Sequence, residues 1–277
     1  MKFVYLPSGE RVPALGMGTW MMGENPGNRN EEIATLQHGV DLGVALIDTA
    51  EMYGEGASEQ LVGEAIKGRR DRVFLVSKVY PHNASANGML AACERSLKRL
   101  TIECLDLYLL HWPGAVPLTE TVETFEKLRE QGKIRHWGVS NFDSADMQEL
   151  ISTTDGSNVA VNQVLYNLSR RGIEWNLCPW SNKHRIPLMA YSPVEQARLL
   201  KHRQLVALAK SLNLTPARLA LAWLLHRDQL IVIPKASKRE HLEENFETLQ
   251  YSLDGSTLAE LDRIFPPPNR SVPLEML

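Results

Sequence analysis

Cysteine is scarce: Cys93, Cys104 and Cys178 are the only three in 277 residues. Their odd number and wide spacing exclude a disulfide framework and offer no metal-ligand spacing. No apolar run approaches the roughly 20 residues a membrane span needs. The stretch Met1–Glu10, cut by Pro7-Ser8-Gly9, is too short and too polar to read as a signal peptide. An excess of charge is missing too. The net charge is −3, acids and bases are interspersed, and no basic stripe carries interleaved aromatics, so nucleic acid is not an expected partner. Gly16-Met17-Gly18 is followed by Thr19-Trp20-Met21, so the third glycine of a dinucleotide-binding G-x-G-x-x-G is lacking, which weighs against an open doubly wound sheet. A cytoplasmic monomer with no membrane partner is the expectation.

What the chain does have is a rhythm. Short apolar runs recur at Leu15–Gly18, Ala45–Ile47, Val73–Val76, Leu105–Leu110, Ile134–Val139, Val159–Val164, Ile186–Ala190 and Leu230–Ile233. Continuous apolar runs fit strands covered on both faces. Each interval, except a wider one before the last run, holds about the 30 residues of a βαβ unit. Helical periodicity is legible at Glu31–Asp41, Ala91–Leu100, Thr119–Gln131, Arg203–Ser211, Thr215–His226 and Ser256–Phe265. Eight such units predict an α/β fold, a (β/α)8 TIM barrel forming a single domain over residues 1–277. Lys2–Tyr5 and Arg11–Pro13 predict an N-terminal hairpin capping one end, and two helices are extra to the repeat.

Chemistry in such a barrel sits at the C-terminal ends of the strands. The polar residues closing the apolar runs are Asp48, Ser77-Lys78, His111, Ser140-Asn141, Asn162-Gln163, Tyr191-Ser192 and Lys235. Taken singly, each has a bland reading: Asp48 as a helix cap, His111 as a satisfied core group, Tyr53 as loop packing. Lys78 is the exception, because an ammonium ending a buried strand must be paired or have an altered pKa. Together they have a chemical logic. A phenol is a reluctant acid at neutral pH. A nearby ammonium draws its pKa down toward working pH, an aspartate keeps the ammonium charged and placed, and a neutral histidine orients a carbonyl oxygen. Asp48, Tyr53, Lys78 and His111 thus read as a proton-donating site for carbonyl reduction.

The segments Leu46–Gly54, Val76–Val79, Asp106–Pro113, Gly138–Phe142, Asn162–Val164, Ala190–Pro193 and Ile233–Lys235 resemble those of the aldo-keto reductases, in order and at family spacing. The resemblance implies an NADP-dependent oxidoreductase in which Asp48, Tyr53, Lys78 and His111 are the catalytic tetrad and Tyr53 the general acid. It implies that Ser140, Asn141 and Gln163 hold the nicotinamide carboxamide of NADPH, that Tyr191 stacks on the ring, and that Ser192 and Val194 lie beneath the pyrophosphate. Lys235, Ser237 and Lys238 would meet the 2′-phosphate, Glu244 and Asn245 the adenine, and Trp20 and Trp112 the substrate. No metal is implied.

Two departures bear on function. Where NADP-preferring relatives carry an arginine six residues after the lysine, this chain has His241, a weaker and pH-dependent cation, with Lys238 and Arg239 at hand to compensate. NADH is therefore expected as a poorer substitute. The loop after His111 is also short, so the chain looks like the bacterial branch that reduces methylglyoxal and other small aldehydes to alcohols. An NADP-binding regulatory subunit with little turnover is the alternative within the same fold. The whole tetrad and the lack of an N-terminal extension weigh against it. A metal-dependent hydrolase would need several histidines at strand ends, and only His111 is so placed.

Overall fold

The structure, a computed structural model, describes residues 2–277. The chain begins with β1 (Phe3–Tyr5) and β2 (Arg11–Pro13), an antiparallel hairpin. Eight strands follow: β3 (Gly16–Gly18), β4 (Leu46–Asp48), β5 (Phe74–Val79), β6 (Leu105–Leu110), β7 (Ile134–Ser140), β8 (Asn162–Leu165), β9 (Leu188–Tyr191) and β10 (Leu230–Val232). They pair in chain order, all parallel. Bridges Leu15 to Val232 and Gly18 to Lys235 join the first barrel strand to the last and close the ring. The eight expected runs are the eight strands.

The glycines of β3 have their reason at this seam. A side chain at Gly18 would place its Cβ 2.9 Å from the Ile233 carbonyl oxygen, and one at Gly16 would sit 2.5 Å from Leu46 Cδ2. Glycine here lets two backbones approach; it does not cradle a phosphate.

Among the described residues, ten α-helices surround the strands: α1 (Arg29–Leu42), α2 (Ala57–Ala65), α3 (Ala86–Leu100), α4 (Leu118–Glu130), α5 (Ser144–Ser152), α6 (Leu177–His184), α7 (Arg203–Ser211), α8 (Pro216–Leu225), α9 (Arg239–Glu247) and α10 (Gly255–Ile264). The pair α7 and α8 between β9 and β10, and α10 after the last unit, account for the two extra helices. Helix α3 starts before the expected Ala91, because Ser85 caps it by accepting from the Gly88 N–H. The sixth run shifts as well. Val161 is buried beside β7, where its carbonyl accepts from Val139 N–H, but the regular strand begins at Asn162. None of the helices is long and apolar enough to cross a membrane among the described residues.

The hairpin closes the N-terminal face. Lys2 Nζ donates to the carbonyls of Leu225 and Arg227, and Glu10 accepts from Arg135 and His136 near the start of β7. With the bottom sealed, the C-terminal ends of the strands form the open mouth.

Candidate active site

Lys78 lies near the end of β5, fully buried at 0 % exposure. Its ammonium donates to Asp48 Oδ2 on β4 at 2.8 Å, to the Thr49 carbonyl at 2.9 Å and to the Tyr53 hydroxyl at 3.2 Å. All three N–H groups of the ammonium are thereby used. Tyr53 accepts this bond through its oxygen, so its own hydrogen stays free for another acceptor. Asp48 is fixed from its other side by Gln163 of β8, whose amide donates to Oδ1 at 2.7 Å.

The charges settle as follows. Lys78 loses from burial, but Asp48 and Tyr53 more than offset this and hold its pKa above the usual lysine value. For Tyr53, burial is the largest influence and raises the phenol; Lys78 pulls it down, Asp48 pushes it up, and the net direction is upward. This corrects the expectation from sequence that Lys78 draws the phenol toward neutral pH. The lysine acts in that direction, yet desolvation outweighs it, so the Tyr53 phenol keeps its proton throughout the neutral range.

His111 follows β6 directly and stands edge-on to Tyr53, ring centroids 5.9 Å apart. Burial first, and the Lys78 charge second, push its pKa down to about 2. The ring is neutral, and Nδ1 is buried without a partner. Placing the proton on Nε2 leaves an unused lone pair inside instead of an orphaned N–H, the cheaper arrangement. This ring should mark the protein's acid stability. Unfolded, it takes a proton near pH 6.5; folded, only near 2. Between those values the unfolded state binds more protons, so stability falls with falling pH, approaching about 1.4 kcal/mol per pH unit. The variant His111→Gln is expected to lose correspondingly less between about pH 7 and 5 in urea unfolding. Equal losses in both proteins would mean that the ring is not desolvated as described.

The other expected residues divide. Ser140, Asn141 and Gln163 are buried at the mouth. Asn141 takes a left-handed φ of 60°, donates to the His111 carbonyl at 3.1 Å and accepts from the Tyr191 hydroxyl at 3.0 Å. Tyr191 ends β9 half-buried, and Ser192 and Val194 follow in a loop where Ser192, Glu195, Gln196 and Ala197 all have positive φ. Lys235, Lys238 and His241 are exposed around the start of α9, and neither lysine has a carboxylate partner among the described residues. Arg239 does: it bonds Glu243 and His38. Glu244 accepts from the Thr215 hydroxyl, and Asn245 is buried within α9. Trp20 is exposed, while Trp112 packs against His111 and edge-on to Tyr80.

Sequence reasoning omits Tyr80 and the C-terminal tail. Leu277 N–H donates to the Tyr191 hydroxyl at 3.4 Å, and Glu275 pairs with Arg170. The apolar residues beyond Pro266-Pro267-Pro268, Val272, Leu274, Met276 and Leu277, were the available signal.

Comparison with known proteins agrees with this architecture. The model of the aldo/keto reductase family matches residues 14–265. Methylglyoxal reductase YeaE of Escherichia coli is 47% identical, with 100% of this chain and 99% of that protein aligned. Glyoxal reductase of Bacillus subtilis is 33% identical over 94% of this chain and 92% of its own length. The crystal structure of an aldo-keto reductase from Klebsiella pneumoniae in complex with NADPH superposes with a TM-score of 0.97 at 50% identity, covering 100% of this chain and 99% of that one. The chain belongs to the aldo/keto reductase family.

Proposed function

We propose that this NADP-dependent oxidoreductase reduces small aldehydes, methylglyoxal-like 2-oxoaldehydes among them, with Tyr53 as the proton donor. The observation that carries this reading is the relay from the buried pair Asp48–Lys78 to the half-buried Tyr53, at 2.8 and 3.2 Å, beside a neutral histidine. NADPH, when bound, supplies the hydride. The protein supplies the rest. The Nε2–H of His111 and the free hydrogen of Tyr53 converge on a carbonyl oxygen, so that oxygen is held by two donors as negative charge develops. Tyr53 then gives up its proton, and the adjacent ammonium of Lys78 stabilises the phenolate left behind. Asp48 keeps that ammonium in place. Between β6 and α4 the chain spends only residues 111–117, which suits a small substrate between Trp20 and Trp112.

The residues also fit the cofactor. Asn141 and Gln163 offer buried amide groups at the mouth, Tyr191 a half-buried ring, and the strained loop at Ser192 and Val194 a place for the pyrophosphate. Lys235 and Lys238 have no carboxylate partner among the described residues, and Lys238 caps α9 without a side-chain bond to its first N–H groups, which leaves those donors for a phosphate with Ser237 beside them. Glu244 and Asn245 would flank the adenine.

NADPH is therefore expected to bind more tightly than NADH. Lys235→Met should nearly erase the margin, and His241→Arg should widen it, since a guanidinium offers a planar, permanently charged fork. Dissociation constants for both cofactors in wild type and variants test this. Equal affinities in the wild type would overturn the phosphate site, and an unchanged margin in His241→Arg would remove His241 from it.

A further inference from the structure

The turn that carries Tyr53, Tyr53–Gly56, is conformationally demanding. Gly54, Glu55 and Gly56 are all left-handed, with φ of 55°, 51° and 93°. A non-glycine residue in that region is uncommon and persists where its surroundings hold it. Glu24 lies against Gly54 of this turn, and Arg99, from the last turn of α3, lies against Gly56. A methyl group at Gly56 would lie 2.5 Å from Arg99 Cδ and 2.6 Å from Nε. Arg99 is itself fixed. Its Nε donates to Glu59 Oε2 at 2.6 Å, and Nη2 donates to Ser96 Oγ at 3.2 Å. Glu59, on α2, is 0 % exposed, and its other oxygen accepts from Ser77 Oγ at 2.6 Å. Ser77 is the residue before Lys78 on β5. One buried carboxylate thus ties the guanidinium under the Tyr53 turn to the strand that carries the lysine.

We propose that Arg99 and Glu59 are positioning residues that hold the Tyr53 hydroxyl at hydrogen-bonding distance from Lys78, an inference that rests on Tyr53 being the proton donor. Neither side chain reaches the mouth. They act through Gly56 on one side and Ser77 on the other, so that two groups on different elements keep one separation.

The groups facing Tyr53 are Asp48 from β4, Lys78 from β5, His111 after β6 and Tyr191 from β9. Arg99 bonds none of these groups; its partners are Glu59 and Ser96. Arg99→Met removes a positive charge and Glu59→Gln a negative one, so a midpoint shift of the same sign in both variants reports a displaced phenol and not a lost neighbouring charge.

The test compares Arg99→Met, Glu59→Gln and Tyr53→Phe with wild type, each loaded with NADPH or NADP. Turnover of methylglyoxal and the pH profile of alcohol oxidation are the readouts. Arg99→Met should lower kcat by about 10- to 100-fold, with KM and NADPH affinity near wild type, because small misplacements of an acting group cost that much. The oxidation midpoint should also move to higher pH, since a phenol farther from Lys78 is harder to ionise. Should Arg99→Met not fold, Glu59→Gln decides the matter: the amide keeps the shape and neutral hydrogen bonds of the buried side chain while weakening its hold on Arg99. A wild-type profile and kcat in the folded variant, with Tyr53→Phe inactive, would overturn the brace and leave the proton-donor reading standing. A fall in kcat at every pH with an unmoved midpoint would also overturn it, since that pattern reports only a smaller active fraction. An active Tyr53→Phe would instead remove the donor reading itself.

Discussion

Replacing Tyr53 with phenylalanine is expected to lower aldehyde turnover by about 10²- to 10⁴-fold, the usual contribution of a positioned acid, while NADPH affinity stays near wild type. The phenol's oxygen accepts from Lys78 and its ring stands against His111, so the substitution removes one hydroxyl and leaves the ring packing in place. Nothing in the proposed cofactor site depends on that hydroxyl. Turnover and cofactor fluorescence quenching measured on the same preparation separate the two effects. A variant retaining more than about a tenth of wild-type turnover would contradict the donor role.

The second large effect belongs to Lys78. Its removal in Lys78→Met should abolish most turnover and also destabilise the fold, because Asp48 would remain buried with Gln163 as its one side-chain partner. Breaking one side of a buried pair typically costs about 3–5 kcal/mol. In the activity that remains, alcohol oxidation, which needs the phenolate, should rise with pH at a higher midpoint than in wild type. The direction follows from the balance at Tyr53: burial already raises the phenol, and Lys78 is the influence that lowers it. An unmoved midpoint in a folded variant would mean that Lys78 acts on structure and not on the proton.

The eight strands were legible because a barrel strand, covered on both faces, shows as an unbroken apolar run. The mouth was legible too, since seven of the eight runs carry a polar residue at or near their C-terminal end. Helices were less so. Six left a periodic trace, but α2 is short and contains Gly63, α6 contains Pro179, and α9 is so rich in charge that its buried Leu242 and Asn245 do not stand out. Balance was not legible at all. That Lys78 lies close to Tyr53 follows from strand ends, whereas the sign of the phenol's shift depends on how completely the mouth excludes water. Nor could spacing reveal that Arg239 is occupied by Glu243 and His38, or that Arg99 supports the turn at Gly56.

The most direct test follows the hydride. Purified protein is given methylglyoxal and NADPH carrying deuterium in place of the transferable hydrogen at nicotinamide C4, and the product alcohol is analysed by mass spectrometry. The account predicts that deuterium appears on the new carbinol carbon, one equivalent for each NADPH consumed, and that Tyr53→Phe does this no faster than about a hundredth of the wild-type rate. NADPH that binds but is not consumed above the uncatalysed background would contradict it, and would point to a cofactor-binding protein with no reductase turnover.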